Sequence, residues 1–200
     1  MSTEQERSFI ASIRCNNVMM KFFDQMLKVP ADQGNLLTTA HRYSATTQAM
    51  VQVHRGRDET VRTRSEEMIV YFRCYDDYYN IQIRSEAYLG KYLSKDNNGL
   101  LGAFPAAGGK TTSFNLLNNE KQIITLDNLT NNQATVYLKA RNAGVIKRQL
   151  MQQPKLYSYG DQSGDSLAFN LTILERNVPY PTSGEPYPLF IEPRPQSDDD

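Results

Sequence analysis

The densest group of chemically capable residues in this 200-residue chain is Tyr71, Tyr75, Tyr78 and Tyr79 around Asp76 and Asp77. Tyrosines beside carboxylates suit a sugar: a ring face covers its apolar side, and phenol and carboxylate oxygens meet its hydroxyls. The structural alternative is a strand turn with rings packed across it. Asp96-Asn97-Asn98 and Asn131-Asn132 are loop sets of the same kind. The ligand-binding candidates are therefore Tyr75, Asp76, Asp77, Tyr78, Asp96, Asn97, Asn98, Asn131 and Asn132.

No catalytic residue is assigned. Glu66 and Glu67 are adjacent, so on a strand they point to opposite faces. Gly108-Gly109-Lys110-Thr111 looks like the end of a phosphate loop, but Phe104 stands where the first glycine belongs. The segment joins two strands rather than opening a helix, so a hairpin loop is the simpler reading. His54, Arg55, Arg57, Arg62 and Arg64 form the one basic cluster, and Asp58, Glu59, Glu66 and Glu67 interleave with it as on a solvated strand. Cys15, Cys74, His41 and His54 have no metal-ligand spacing, so neither a metal nor any other cofactor is expected. Two cysteines do not make a disulfide scaffold.

Lys+Arg and Asp+Glu balance at 22 each. That balance gives no long-range pull towards nucleic acid or an anionic membrane, and neither is expected as a partner. The polar start Met-Ser-Thr-Glu-Gln-Glu-Arg is unlike a secretory leader, and no apolar run is long enough to span a bilayer. A cytoplasmic location follows as the expectation.

The elements that position these residues are strands, and they recur. Ser113-Phe114-Asn115-Leu116-Leu117 returns fifty-five positions later as Ala168-Phe169-Asn170-Leu171-Thr172. The same offset pairs Leu101 with Leu156, Ile81-Gln82-Ile83-Arg84 with Val136-Tyr137-Leu138-Lys139, and Met68–Tyr71 with Ile123–Leu126. It also matches the Asp76-Asp77 turn to Asn131-Asn132, both types that tolerate a left-handed backbone. Leu37 to Met50, Leu101 to Phe114 and Leu156 to Phe169 span equal distances, which suggests three hairpins in three copies. Ala134, Val136, Leu138 and Ala140 alternate as a half-buried strand does. Residues 2–28 fit either an amphipathic helix or, over 9–15, a strand with Phe9, Ala11 and Ile13 on one face; the repeat tips this towards strand.

Three copies of four strands, stacked around an axis to remove exposed edges, give an all-β fold, the β-trefoil. The copies run about 1–60, 61–119 and 120–178. A Pro-rich acidic tail, 179–200, follows; its proline density excludes helix and central strand, although Leu189-Phe190-Ile191 could dock as a closing strand. The predicted core is Met50 and Val53; Ile81, Ile83, Leu101 and Phe114; Val136, Leu138, Leu156 and Phe169. A pseudo-twofold barrel or sandwich, with residues 1–60 as a helical cap, is the rival plan.

Ile81-Gln-Ile-Arg-Ser-Glu-Ala-Tyr-Leu-Gly-Lys-Tyr-Leu-Ser-Lys-Asp-Asn-Asn-Gly99 resembles the repeat unit of fascin-like and lectin-like β-trefoils. The likeness covers residues 81–104. The third copy has Val145-Ile146-Lys147-Arg148 in place of Gly-Lys-Tyr-Leu, and the chain has no tryptophan for a Gln-x-Trp sugar motif. The resemblance is thus one of fold.

Together these observations predict a non-enzymatic, lectin-like binding module that recognises carbohydrate through inter-strand loops. The alternatives are an inhibitor or protein-interaction module inserting Pro105–Thr112 or Gln152–Pro154, and a toxin or enzyme with loop-borne catalytic residues.

Overall fold

The computed structural model describes residues 3–16, 20–22, 50–52, 67–96, 99–105, 113–151 and 156–181. Strand is the main structure of the described residues, and there is almost no helix. The strands that build the centre are β1 (Phe9–Cys15), β4 (Met68–Tyr75), β5 (Tyr78–Ile83), β8 (Ser113–Leu117), β10 (Gln133–Ala140) and β14 (Phe169–Arg176). Between them lie β2 (Met20–Phe22), β3 (Met50–Gln52), β6 (Tyr92–Lys95), β7 (Leu101–Phe104), β9 (Ile123–Ile124), β11 (Lys147–Met151), β12 (Leu156–Gly160) and β13 (Asp165–Ser166). One helical turn, α1 (Thr3–Glu6), precedes them.

Alternation explains why the six central strands curl around one interior. Phe9, Ala11, Ile13 and Cys15 of β1 point in, as do Val70, Phe72 and Cys74 of β4 and Tyr79, Ile81 and Ile83 of β5. Phe114 and Leu116, then Val136, Leu138 and Ala140, then Phe169, Leu171 and Ile173 complete the lining. A sheet with one apolar face buries it by closing on itself. β1 pairs with β4, β4 with β5, β5 with β8, β8 with β10, β10 with β14, and β14 returns to β1, all antiparallel. The result is a closed six-stranded barrel with no free edge in the ring. Phe9 stacks on Phe72 with ring centroids 4.5 Å apart, and Tyr79 meets both edge-on.

Within each of three barrel pairs, β1/β4, β5/β8 and β10/β14, the chain forms a further antiparallel strand pair: β2–β3, β6–β7 and β11–β12. The first and third of these pairs share a second sheet, ordered β13-β11-β12-β3-β2. The middle pair hangs from β5 through Gln82 and Tyr92.

Several expectations change here. The strand at 9–15 is present. Leu101–Phe104 does not pair with Ser113–Leu117; it pairs with Tyr92–Lys95, and Leu156–Gly160 pairs with Lys147–Met151. The spans Leu101 to Phe114 and Leu156 to Phe169 thus run from a strand outside the ring to a barrel strand, whereas Met50, the end of the first span, lies in β3 outside the ring. Met68–Tyr75 is a full barrel strand, whereas Ile123–Ile124 is a two-residue strand on the edge of β8 outside the ring, so the offset does not equate them. Asp76-Asp77 links two paired strands, whereas Asn131-Asn132 lies in a bend between a 3-10 turn (Leu126–Asn128) and β10. Side-chain chemistry marks that the chain turns there; it does not fix which strands flank the turn.

Phe114 and Phe169 are both fully buried in the one core, with Ile81, Ile83, Leu101, Val136 and Leu138. Val53, Leu37, the basic cluster at 54–64, the Gly108–Thr111 loop, Gln152–Pro154 and Leu189–Ile191 lie outside the described residues, as do the side chains of Met50 and Leu156.

Candidate functional site

The turn between β4 and β5 places Tyr75, Asp76, Asp77 and Tyr78 at one end of the barrel. Asp76 takes a left-handed backbone (φ 58°), which aspartate tolerates better than most residues. Tyr75 and Tyr78 sit directly opposite each other, and their rings stack at 5.6 Å with 15° between planes. The turn is held from three sides. The Asn115 amide donates to the Asp77 carbonyl at 2.8 Å, and the Cys74 thiol to the Asp76 carbonyl at 3.4 Å. The Arg7 guanidinium reaches the same Asp76 carbonyl at 3.5 Å while pairing with Asp127 at 2.6 Å. The Asp76 side chain stays exposed.

Two arginines extend the tyrosine pair. The Arg141 guanidinium lies 3.9 Å from the centroid of the Tyr78 ring. Its backbone N–H donates to the Ser113 carbonyl, on the far side of β5 from β4. Tyr78 therefore stands between Tyr75 on one flank and Arg141 on the other. The Arg73 guanidinium lies 5.0 Å from the Tyr75 ring and 4.6 Å from the ring of Tyr180. Among the described residues, neither guanidinium is paired with a carboxylate. Burial raises the Tyr75 phenol above its ordinary value, with Arg73 pulling the other way, so the hydroxyl is a neutral donor at physiological pH.

Tyr180 is held by the chain beyond β14. Asn177 turns it with φ 59°, the Val178 N–H donates to the Ser8 carbonyl, and the Tyr71 hydroxyl donates to the Val178 carbonyl at 3.0 Å. The Tyr180 and Tyr92 hydroxyls are 2.8 Å apart, and the Gln82 amide donates to Tyr180 at 3.3 Å. Val178 closes a small outer cluster with Ile10, Ile69 and Tyr71.

The other expected residues divide by strand polarity. Asn131 and Asn132 precede β10 and so share the barrel end of the Tyr75–Tyr78 turn. The Asn131 carbonyl and the Asn132 side chain both accept from Arg176, and the Asn132 backbone carbonyl accepts from the Ile173 N–H. Asp96 lies at the opposite end, in the β6–β7 turn, where its carboxylate accepts the Leu100 N–H at 2.8 Å. Asn97 and Asn98 lie outside the described residues.

Sequence reasoning missed Arg73, Arg141 and Tyr180. It also missed an open polar groove of about 280 Å³ on the outer face of β1, β14 and β10, bordered by Arg14, Gln133, Thr135, Asn170 and Thr172. The strict outward alternation of Gln133, Thr135, Asn170 and Thr172 was the available signal. Arg14 is already paired with Glu67 there.

The far end of the barrel is closed differently. Lys95 pairs with Asp161, with side chains only 10 % and 9 % exposed. Gly99 lies against Asp161 and Gln162 at φ +78°, where an added Cβ would collide with an Asp161 carboxylate oxygen. Inside, Cys15 and Cys74 are buried free thiols, and burial pushes Cys15 up to about 11. Such thiols are poor nucleophiles.

Among the described residues there is no cluster of three or more His, Cys, Asp or Glu able to hold a metal, and no helix long and apolar enough to cross a membrane. No family model matches the chain, and no curated protein is similar to it.

Proposed function

We propose that the chain is a non-enzymatic binding module of β-trefoil architecture which recognises a carbohydrate through its turns. A closed six-stranded barrel with a further strand pair between the members of each of three barrel pairs supports that architecture. The observation that carries the binding reading is the Tyr75–Tyr78 pair at a hairpin tip, with the exposed Asp76 carboxylate beside it. Acceptors and donors gathered on a rigid closed sheet suit a hydroxyl-rich ligand. Tyr75 and Arg141 already use the two faces of Tyr78, so the sugar meets ring edges, phenols and charged groups rather than an open ring face.

The test is a titration with oligosaccharides of varied composition, read by chemical shift perturbation. Shifts confined to Tyr75–Tyr78 and lost in Asp76→Asn support the reading. Saturating sugar with no shift at the turn refutes it.

A protein ligand is the second reading. Tyrosine and arginine are the residues that dominate protein hot spots, and this turn gathers Tyr75, Tyr78, Tyr180, Arg73 and Arg141. Capture of a proteinaceous partner by the wild type, unaffected by competing sugar, would favour it.

A further inference from the structure

We infer that the saccharide bound at the Tyr75–Tyr78 turn is an acidic one, carrying a carboxylate or sulfate that Arg73 and Arg141 receive. This rests on the carbohydrate reading above and specifies its ligand class. A guanidinium lying over an aromatic ring has its flat face occupied and its N–H edge pointing outward. That edge is the part that grips a carboxylate or sulfate by two parallel hydrogen bonds.

The molecule supplies its own comparison. Arg148 also lies over a ring, 4.4 Å from the Tyr157 centroid, and has a carboxylate, Asp165, at 3.9 Å. Arg7, Arg14 and Lys95 have Asp127, Glu67 and Asp161. Arg73 and Arg141 flank one tyrosine pair and have no such partner among the described residues. In a chain of zero net charge, two such cations at one turn form a local anion receptor rather than part of a general basic field.

Asp76 narrows the ligand class further. Its carboxylate is exposed in the same turn and only accepts hydrogen bonds. A phosphodiester chain or a run of acidic side chains would bring more acceptors against it. A uronate or a sulfated sugar brings hydroxyl donors for Asp76 and an anion for the arginines. Two guanidiniums neutralise about two phosphates at most, so counterion release adds little affinity for nucleic acid.

The experiment uses the full chain and isothermal titration with four probes: an oligouronate, a sulfated neutral-backbone oligosaccharide, the unmodified neutral oligosaccharide and a poly-glutamate peptide. Arg141→Gln and Arg73→Gln remove charge and keep bulk, and Arg148→Gln is the control; thermal melts confirm that each is folded. Binding of the uronate or the sulfated sugar, weakened about tenfold or more in each of the first two variants and unchanged in the third, supports the inference. Which of the two binds identifies the source of the anion. Equal binding of the neutral sugar, indifferent to both substitutions, overturns the inference and leaves the carbohydrate reading standing. Binding of poly-glutamate as tight as that of either acidic sugar overturns the saccharide class, and no binding of any sugar overturns both statements.

Discussion

The two ends of the barrel handle charge in opposite ways. At the hairpin end, Lys95 and Asp161 are almost wholly buried and paired. At the turn end, Arg73 and Arg141 lie on tyrosine rings without a carboxylate among the described residues, next to an exposed Asp76. A buried charge must find its counter-ion within the chain, because desolvation is severe. A half-exposed one is kept by water and ring contacts and stays available to a ligand. The first arrangement holds the fold together, and the second is suited to recognition.

The largest effect that would test this contrast is at the buried pair. Asp161→Asn leaves the Lys95 ammonium buried without its counter-ion and should destabilise the protein by about 3 kcal/mol in urea unfolding. A loss as small as that of a surface pair would mean that the two ends do not differ.

Alkaline titration extends the contrast into the interior. Burial pushes the Cys15 thiol up to about 11 and raises the Tyr79 and Tyr159 phenols. These acids stay protonated when folded and ionise earlier when unfolded. The unfolded chain therefore releases protons first, and stability falls as pH rises above the thiol's ordinary value of 9.0. Cys15 alone should contribute a loss of roughly 2–3 kcal/mol by pH 11. Unfolding curves from pH 7 to 11 should be flatter for Cys15→Ala, and identical slopes would contradict the assignment.

At the turn the expected effects on stability are small. Tyr78→Leu removes the ring stack and the Arg141 contact and should cost about 1 kcal/mol in the same assay, while abolishing saccharide binding. Smaller still is Asp76→Gly. Glycine accepts the φ of 58° freely, so stability should move by less than about 0.5 kcal/mol while binding falls. A melt that drops with binding would show that Asp76 acts through the fold.

Much of the barrel was legible because its strands alternate. Phe9, Ala11 and Ile13, or Val136, Leu138 and Ala140, read directly as inward faces. The Asp76-Asp77 turn was legible from side-chain chemistry. Strand partners were not, because an internal match between segments does not encode which edges meet. Leu101–Phe104 therefore reads as a partner of Ser113–Leu117, whereas it pairs with Tyr92–Lys95. The site suffered from the same gap. Arg141 reaches Tyr78 only because β8 closes against both β5 and β10, and Tyr180 sits in a proline-rich segment that reads as tail yet packs on Tyr71 and Arg73. Contacts made by ring closure leave no local trace in the chain.

The pairing of Phe9 with Arg176 has a consequence for synthesis. β1, made before the other five barrel strands, finds one of its two neighbours only when β14 has left the ribosome. Until then β1 carries an unsatisfied ladder and an uncovered apolar face, which is the condition that invites mispairing with other nascent chains. Closure of the barrel should therefore wait until β14 has emerged, and a chain stalled before Phe169 should be captured by chaperones rather than resist protease.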